Sequence, residues 1–191
     1  MNETVFIVGG ARSGKSRLAE KLLATSEKVT YVATAVITDA EMQSRVDRHR
    51  QVRPPAWRTV EAPLRPDEAF ASVAGGAVLV DCLSVWVSNL LLGFWNTEHD
   101  CPTTTDTDLE ESFLTEIDRF LETITAYQGR VVIVSNEVGA GIVPANRLAR
   151  TYRDLLGCVN QKTAAVADTV YWCVSGIPVP IKGGKDERKT N

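Results

Sequence analysis

No apolar run in the 191 residues approaches the ~18 needed for a membrane-spanning helix, so no spanning segment is expected. Cysteine is sparse and scattered: Cys82, Cys101, Cys158 and Cys173 form no C-x-x-C pair, which leaves no basis for a zinc site or a redox dithiol and suits a reducing compartment. Positive charge is not in excess either. With 21 Lys and Arg against 24 Asp and Glu, the net charge is −3, which argues against a nucleic-acid binder held by phosphate neutralisation. No leader pattern precedes the first apolar run, and the expectation is a cytoplasmic protein. There is no internal repeat and no linker that would split the chain. The last residues, 183–191, lack any apolar side chain and read as a disordered polar tail, leaving residues 1–182 as one domain.

What is present starts at residue 4. The apolar run of residues 4–8 leads directly into Gly9, Gly10, Ala11, Arg12, Ser13, Gly14, Lys15 and Ser16, a complete G-x-x-x-x-G-K-[ST] loop with a strand before it and a helix (16–23) after it. Glycines let the backbone curl so that its N–H groups converge on phosphate oxygens. Lys15 carries charge to the β- and γ-phosphates, Ser16 offers a hydroxyl to Mg²⁺, and the helix N-terminus faces the anion. This pattern predicts binding of a nucleoside triphosphate.

Further strands are predicted over residues 29–33, 77–81, 130–135 and 169–174, with helices over 83–92, 108–127 and 146–166. This alternation predicts a single-domain α/β phosphate-loop fold of RecA-like type, with a mainly parallel sheet flanked by helices. Residues 93–107 show no period and read as a mobile surface loop. Asp81 ends a continuous apolar run, where strand ends face the ligand crevice of such a sheet. It fits two roles: a carboxylate opposite Ser16 that holds Mg²⁺, or a cap for the helix that follows.

Of the two histidines, His99 lies in the irregular loop and reads as a surface residue. His49 lies on a helix expected over residues 39–52, opened by the capping box Thr38-x-x-Glu41. It continues the stripe of Met42 and Val46, amid Arg45, Arg48, Arg50, Arg53 and Arg58. Nearby cations lower an imidazole pKa and keep a nitrogen free to attack phosphorus. A histidine packed on the core among solvated arginines is the other reading of the same pattern.

Longer segments resolve more. Besides the GGARSGKS loop and Arg17, they comprise Tyr31-Val32-Ala33-Thr34-Ala35, Glu41-Met42, Arg45-Val46, His49-Arg50, Arg53-Pro54, and Trp57 through Glu61. The later part runs from Ser135-Asn136-Glu137-Val138-Gly139-Ala140-Gly141-Ile142-Val143-Pro144 through Asn146 to Arg150 and Tyr152-Arg153-Asp154. Asn160-Gln161, Ser175-Gly176-Ile177-Pro178 and Lys182 complete it. With these the chain strongly resembles the bifunctional adenosylcobinamide kinase / adenosylcobinamide-phosphate guanylyltransferase family of cobalamin biosynthesis. The resemblance covers essentially all but residues 93–107 and the polar tail.

It implies phosphorylation of the aminopropanol arm of adenosylcobinamide by ATP or GTP. GMP is then transferred from GTP to that phosphate, giving adenosyl-GDP-cobinamide and pyrophosphate. It further implies that His49 carries GMP as a phosphoramidate and acts with Lys15 in catalysis. Residues 9–16 with Thr34, Ala35, Val36, Glu61 and Asp81 would bind nucleotide, and Ser16 and Asp81 would hold Mg²⁺. Glu61 would read guanine or ribose; as a bare residue it also reads as a surface glutamate after a short strand. Residues 136–141 would shape the site or bind the corrinoid. No prosthetic group, nucleic acid or membrane is implied, and the assembly expected by resemblance is a homotrimer.

Overall fold

Strand β1 (Glu3–Gly9) lies at the heart of a seven-stranded sheet in the order β3-β2-β4-β7-β1-β8-β9. The computed structural model describes residues 2–36, 40, 43–44, 53–73 and 75–183. The other strands of this sheet are β2 (Val29–Ala33), β3 (Arg58–Glu61), β4 (Ala77–Asp81), β7 (Arg130–Asn136), β8 (Thr169–Val174) and β9 (Ile177–Lys182). All pairings are parallel except the β8–β9 hairpin. Among the described residues, the α-helices with both ends described are α1 (Lys15–Leu23), the single turn α2 (Pro66–Ala69), α3 (Leu83–Gly93), α4 (Asp106–Ala126) and α5 (Arg147–Val166). The expected α/β class and mainly parallel sheet are what the chain forms.

Because both faces of the sheet are covered, β1, β4 and β7 carry apolar side chains in near-continuous runs rather than alternation. One core layer joins Phe6, Val78, Val80 and Ile133 to Trp86, Phe113, Phe120 and Leu156 from α3, α4 and α5. The other joins Val5, Ile7, Leu79 and Val132 to Leu18, Ala19 and Leu23 of α1. Helix α3 is apolar almost all round because it is packed into the thicker layer, with Leu83, Trp86, Val87, Leu90 and Leu91 all buried.

Helix α4 begins two residues earlier than its apolar period suggests. Thr105 is the N-cap: its hydroxyl accepts from the Asp108 N–H and donates to Asp108 Oδ2 at 2.6 Å. The cap satisfies one of the free N–H groups of the first turn and places the helix start at Asp106. Helix α5 is capped by Asn146, which accepts from the Ala149 N–H at 2.7 Å.

Residues 93–107 depart from the mobile loop expected of them. Trp95 is buried, and strands β5 (Trp95–Asn96) and β6 (Cys101–Pro102) pair as a miniature antiparallel hairpin. Its turn is closed by Asn96 Oδ1, which accepts from the N–H groups of Glu98 and His99. Asp100 accepts from the Arg147 N–H, and Arg147 donates to both carboxylate oxygens of Asp106 at 2.7 and 2.8 Å, so the hairpin is fastened to the start of α5.

Strand β9 is not legible as a strand in the sequence, because Pro178 and Pro180 interrupt it. It forms as the antiparallel partner of β8 through a turn with positive φ at Ser175 and Gly176. Of the helix expected over residues 39–52, Ala40, Gln43 and Ser44 are described and helical. His49, Arg45, Arg48 and Arg50 lie outside the described residues, as do residues 184–191 of the expected tail.

Candidate active site

The phosphate loop leaves β1 at Gly9 and enters α1 through Gly14, whose left-handed φ of +94° suits a residue without a side chain. Arg12 also takes a positive φ, and the Ser13 N–H returns to the Gly10 carbonyl. Two contacts fix the loop from outside. The Gly176 N–H donates to the Ser13 carbonyl at 3.0 Å, so the tip of the β8–β9 turn braces the loop. A Cβ on Gly14 would meet Gly176 Cα at 3.1 Å, and one on Gly9 would stand 2.3 Å from the Cys173 carbonyl oxygen. Backbone cannot yield as a flexible side chain can. Gly9→Ala is therefore expected to cost about 3 kcal/mol, the upper end for overpacking, read as a lower urea midpoint with an unchanged m-value. A midpoint equal to that of the unsubstituted protein would contradict the packing argument.

Lys15 is buried, and its Nζ donates to the Gly10 carbonyl at 2.6 Å and to Ser13 Oγ at 3.4 Å. Its ammonium thus lies folded under its own loop. Burial pushes its pKa below the ordinary lysine value, against the opposing influence of Cys82, Cys173 and Asp81. The Cys82 thiol is pushed up to about 11, mainly by burial, so it is protonated and inert at neutral pH.

Asp81 ends β4, two strands from β1, with β7 between them. Its Oδ2 accepts from Tyr31 Oη at 2.9 Å and from Ser16 Oγ at 3.5 Å. The N-cap of α3 is Cys82, which makes no side-chain capping bond. The carboxylate is therefore turned toward the loop, in hydrogen-bond range of Ser16. A hydroxyl and a carboxylate side by side are hard oxygen donors of the kind Mg²⁺ takes. Among the described residues no group of three or more His, Cys, Asp or Glu side chains could hold a metal by itself, so such an ion would also need water and phosphate oxygens.

Thr34 is fully buried. Its hydroxyl donates to the Cys82 carbonyl and accepts from the Cys82 N–H, both at 2.9 Å, lacing the end of β2 to the end of β4. Ala35 is half-buried and Val36 is exposed. Glu61 is exposed at the end of β3, in the same cross-sheet row as Ala33 and Asp81. That places it four strand spacings from β1, about 19 Å.

Asn136 and Glu137 end β7 beside the loop, with the Glu137 N–H donating to the Gly9 carbonyl at 3.0 Å. Asn136 Nδ2 donates to Ser84 Oγ, and Asn160 Nδ2 to the Asn136 carbonyl, so β7, α3 and α5 are joined directly behind the phosphate loop. The loop, Lys15, Ser16 and Asp81 are thus brought together; Glu61 stands apart from them.

Two features escape a reading of the sequence. Tyr31 looks like a core residue of β2, because a buried tyrosine and a hydroxyl on a carboxylate share one letter. The bracing turn Ser175–Gly176 carries a signal only in its Ser-Gly pair, which marks a turn without naming what the turn touches.

The profile of the family described as cobinamide kinase / cobinamide phosphate guanyltransferase matches residues 5–181. The bifunctional adenosylcobalamin biosynthesis protein CobU of Escherichia coli (strain K12) is 43% identical over 180 residues, covering 93% of this chain and 99% of its own. The bifunctional adenosylcobalamin biosynthesis protein CobP of Pseudomonas aeruginosa is 43% identical over 181 residues, covering 93% and 96%. Among solved structures, an ATPase of a bacterial type III secretion system aligns with a TM-score of 0.55 at 10% identity, over 90% of this chain and 52% of that one. That likeness carries the phosphate-loop fold alone. With sequence similarity running nearly end to end, the chain belongs to the cobinamide kinase / cobinamide phosphate guanyltransferase family.

Proposed function

We propose that the chain catalyses two successive transfers at one crevice. In the first, the hydroxyl of the adenosylcobinamide arm attacks the γ-phosphorus of ATP or GTP, and the nucleoside diphosphate leaves. In the second, a His49 imidazole nitrogen attacks the α-phosphorus of GTP and the bond to the β-phosphate breaks, releasing pyrophosphate. An oxygen of adenosylcobinamide phosphate then attacks the same phosphorus, the P–N bond breaks, and adenosyl-GDP-cobinamide departs. The phosphoramidate splits a displacement between two anions into two steps, each with phosphate charge neutralised.

The observation carrying this reading is the approach of Ser16 Oγ and Asp81 Oδ2 beside Lys15 and the phosphate loop, on a chain of this family. Ser16 and Asp81 would hold Mg²⁺ against the phosphates, where it neutralises charge developing on their oxygens. Lys15 would swing from the Gly10 carbonyl to the β- and γ-oxygens. Thr34 would act by holding the β2 and β4 ends together, leaving Ala35 and Val36 to face nucleotide.

The distance of Glu61 from the phosphate loop bears on how two phosphorus atoms are reached. If Glu61 accepts from guanine N1–H and its 2-amino group, the GTP of the second step lies across the ends of β2 and β4 with its phosphates toward Lys15. Its α-phosphorus then sits over the point where the chain leaves β2 for residues 37–52, which include His49. The position His49 takes against the nucleotide would select which phosphorus is attacked.

Incubation with α-³²P GTP tests the covalent step. Acid-labile, alkali-stable label on the protein supports it, whereas turnover without label leaves a kinase whose His49 is structural. Nucleotide consumption that cobinamide fails to accelerate would instead favour a GTP-dependent switch, a reading weakened by the lack of an N-K-x-D segment.

The reading includes a homotrimer. Trp172 pairs with Val179 and Val174 with Ile177 on one face of the β8–β9 hairpin, and Trp172, Val174 and Ile177 are all exposed. An uncovered apolar strip of this kind suits an interface between copies. Trp172→Glu is expected to convert a trimer to a monomer in light scattering; a variant that stays trimeric puts the interface elsewhere.

A further inference from the structure

Tyr31 is 5% exposed, in the core layer with Leu18, Leu79 and Val134. A buried phenol needs a hydrogen-bond partner, and the one it takes is charged: its hydroxyl donates to Asp81 Oδ2 at 2.9 Å. Ser16 Oγ approaches the same oxygen, and neither bond uses Oδ1. On the ring itself lies Arg53, its guanidinium carbon 3.3 Å from the ring centroid and its Nε buried without a hydrogen-bond partner. Arg53 thus stands on the aromatic face. Its positive charge, held against the ring, makes the phenol a stronger donor.

A free aspartate at a strand end samples several rotamers. Here a rigid ring, fixed by the core on one side and Arg53 on the other, pins one carboxylate oxygen and thereby sets the direction of the other. We propose that Tyr31 is the positioning residue of the Asp81 carboxylate, and that Arg53 stacked on its ring strengthens that hold. The inference rests on reading Asp81 as the magnesium-side acid, and it adds residues that no phosphate-loop pattern contains.

The test uses Mn²⁺ as the probe, its binding to the GDP-loaded full-length protein followed by electron paramagnetic resonance. Tyr31→Phe deletes one hydroxyl and keeps the ring in the core. It is expected to weaken Mn²⁺ binding about 3–10-fold, the net worth of one ordinary hydrogen bond, because the effect on the metal is indirect. GDP affinity measured in EDTA should not change, and excess metal should restore the kinase rate. Arg53→Met should weaken Mn²⁺ binding about 2-fold in the Tyr31 protein, by the modest worth of a cation on an aromatic face, and not at all in the Tyr31→Phe background. Asp81→Asn separates the two readings. If it leaves Mn²⁺ affinity unchanged, the metal role of Asp81 fails and this inference falls with it. If it abolishes binding while Tyr31→Phe matches the unsubstituted protein, Asp81 keeps its role and Tyr31 loses the one assigned here. Equal effects of Arg53→Met in both backgrounds would remove Arg53 from the arrangement.

Discussion

His49→Ala is expected to lower covalent labelling from α-³²P GTP by a factor on the order of 10³ or more, the scale seen when a nucleophile is removed. Phosphoryl transfer from γ-³²P ATP to cobinamide should stay within about 3-fold, because that step is positioning and charge neutralisation without a protein nucleophile. The asymmetry is the informative part. A histidine that only packed the core would lower both activities together through folding, and a histidine that only bound phosphate would raise KM in both. Loss of the second activity with survival of the first requires a bond to phosphorus in one step only. Undiminished label on the His49→Ala variant would move the nucleophile to another residue.

Lys15→Ala should do the opposite, lowering both activities by about 10²–10³-fold, since each step develops charge on the same phosphate oxygens. The burial of Lys15 gives this a second signature. Burial depresses the Lys15 pKa, whereas a bound polyphosphate would raise it again. Nucleotide binding therefore takes up protons between the depressed free value and the higher bound one, and affinity falls as pH rises through that window. A fluorescent GDP analogue titrated from neutral to alkaline pH should show the decline, and Lys15→Met should flatten it. The same depressed pKa means that the folded chain binds fewer protons than the unfolded one between the folded value and the ordinary lysine value of 10.5, so this group adds stability as pH rises there. Lys15→Met is accordingly expected to leave the thermal midpoint unchanged or higher while activity collapses. A midpoint lowered by several degrees would show that the ammonium holds the loop together and is more than a catalytic charge.

Much of this is legible without coordinates, for a physical reason. Strands buried on both faces must be apolar throughout, so β1, β4 and β7 announce themselves, and the glycine-lysine-serine order follows from cradling phosphate. Positions set by partners distant in sequence stay hidden. β9 reads as a proline-broken coil because its ladder is supplied by β8. Residues 93–107 read as unstructured because their order depends on burying Trp95 and on Asp100 meeting Arg147. Asp81 is recognisable as a strand-end acid, but its choice between metal and helix cap depends on where Tyr31 and Ser16 stand. Glu61 illustrates the converse: its match to a family segment suggests nearness to nucleotide, and only the strand order turns that into a distance across the sheet.

The prolines of β9 have a consequence at the scale of assemblies. In an antiparallel ladder successive residues turn their N–H groups alternately toward the neighbour and away from it. Pro178 and Pro180 share one phase and stand opposite Cys173 and Tyr171, on the regular side of the register shift between Val170 and Tyr171, which puts theirs in the phase turned outward. The open margin of the sheet therefore lacks the donors that an incoming strand would need. At the opposite margin β3 spans only Arg58–Glu61 and bears a charge at each end. Both rims thus disfavour extension by another copy in the manner of a growing fibril. Contact between copies of this chain would then run through side chains rather than through sheet edges, and a crowded cell could hold many of them with little tendency for sheets to fuse edge to edge.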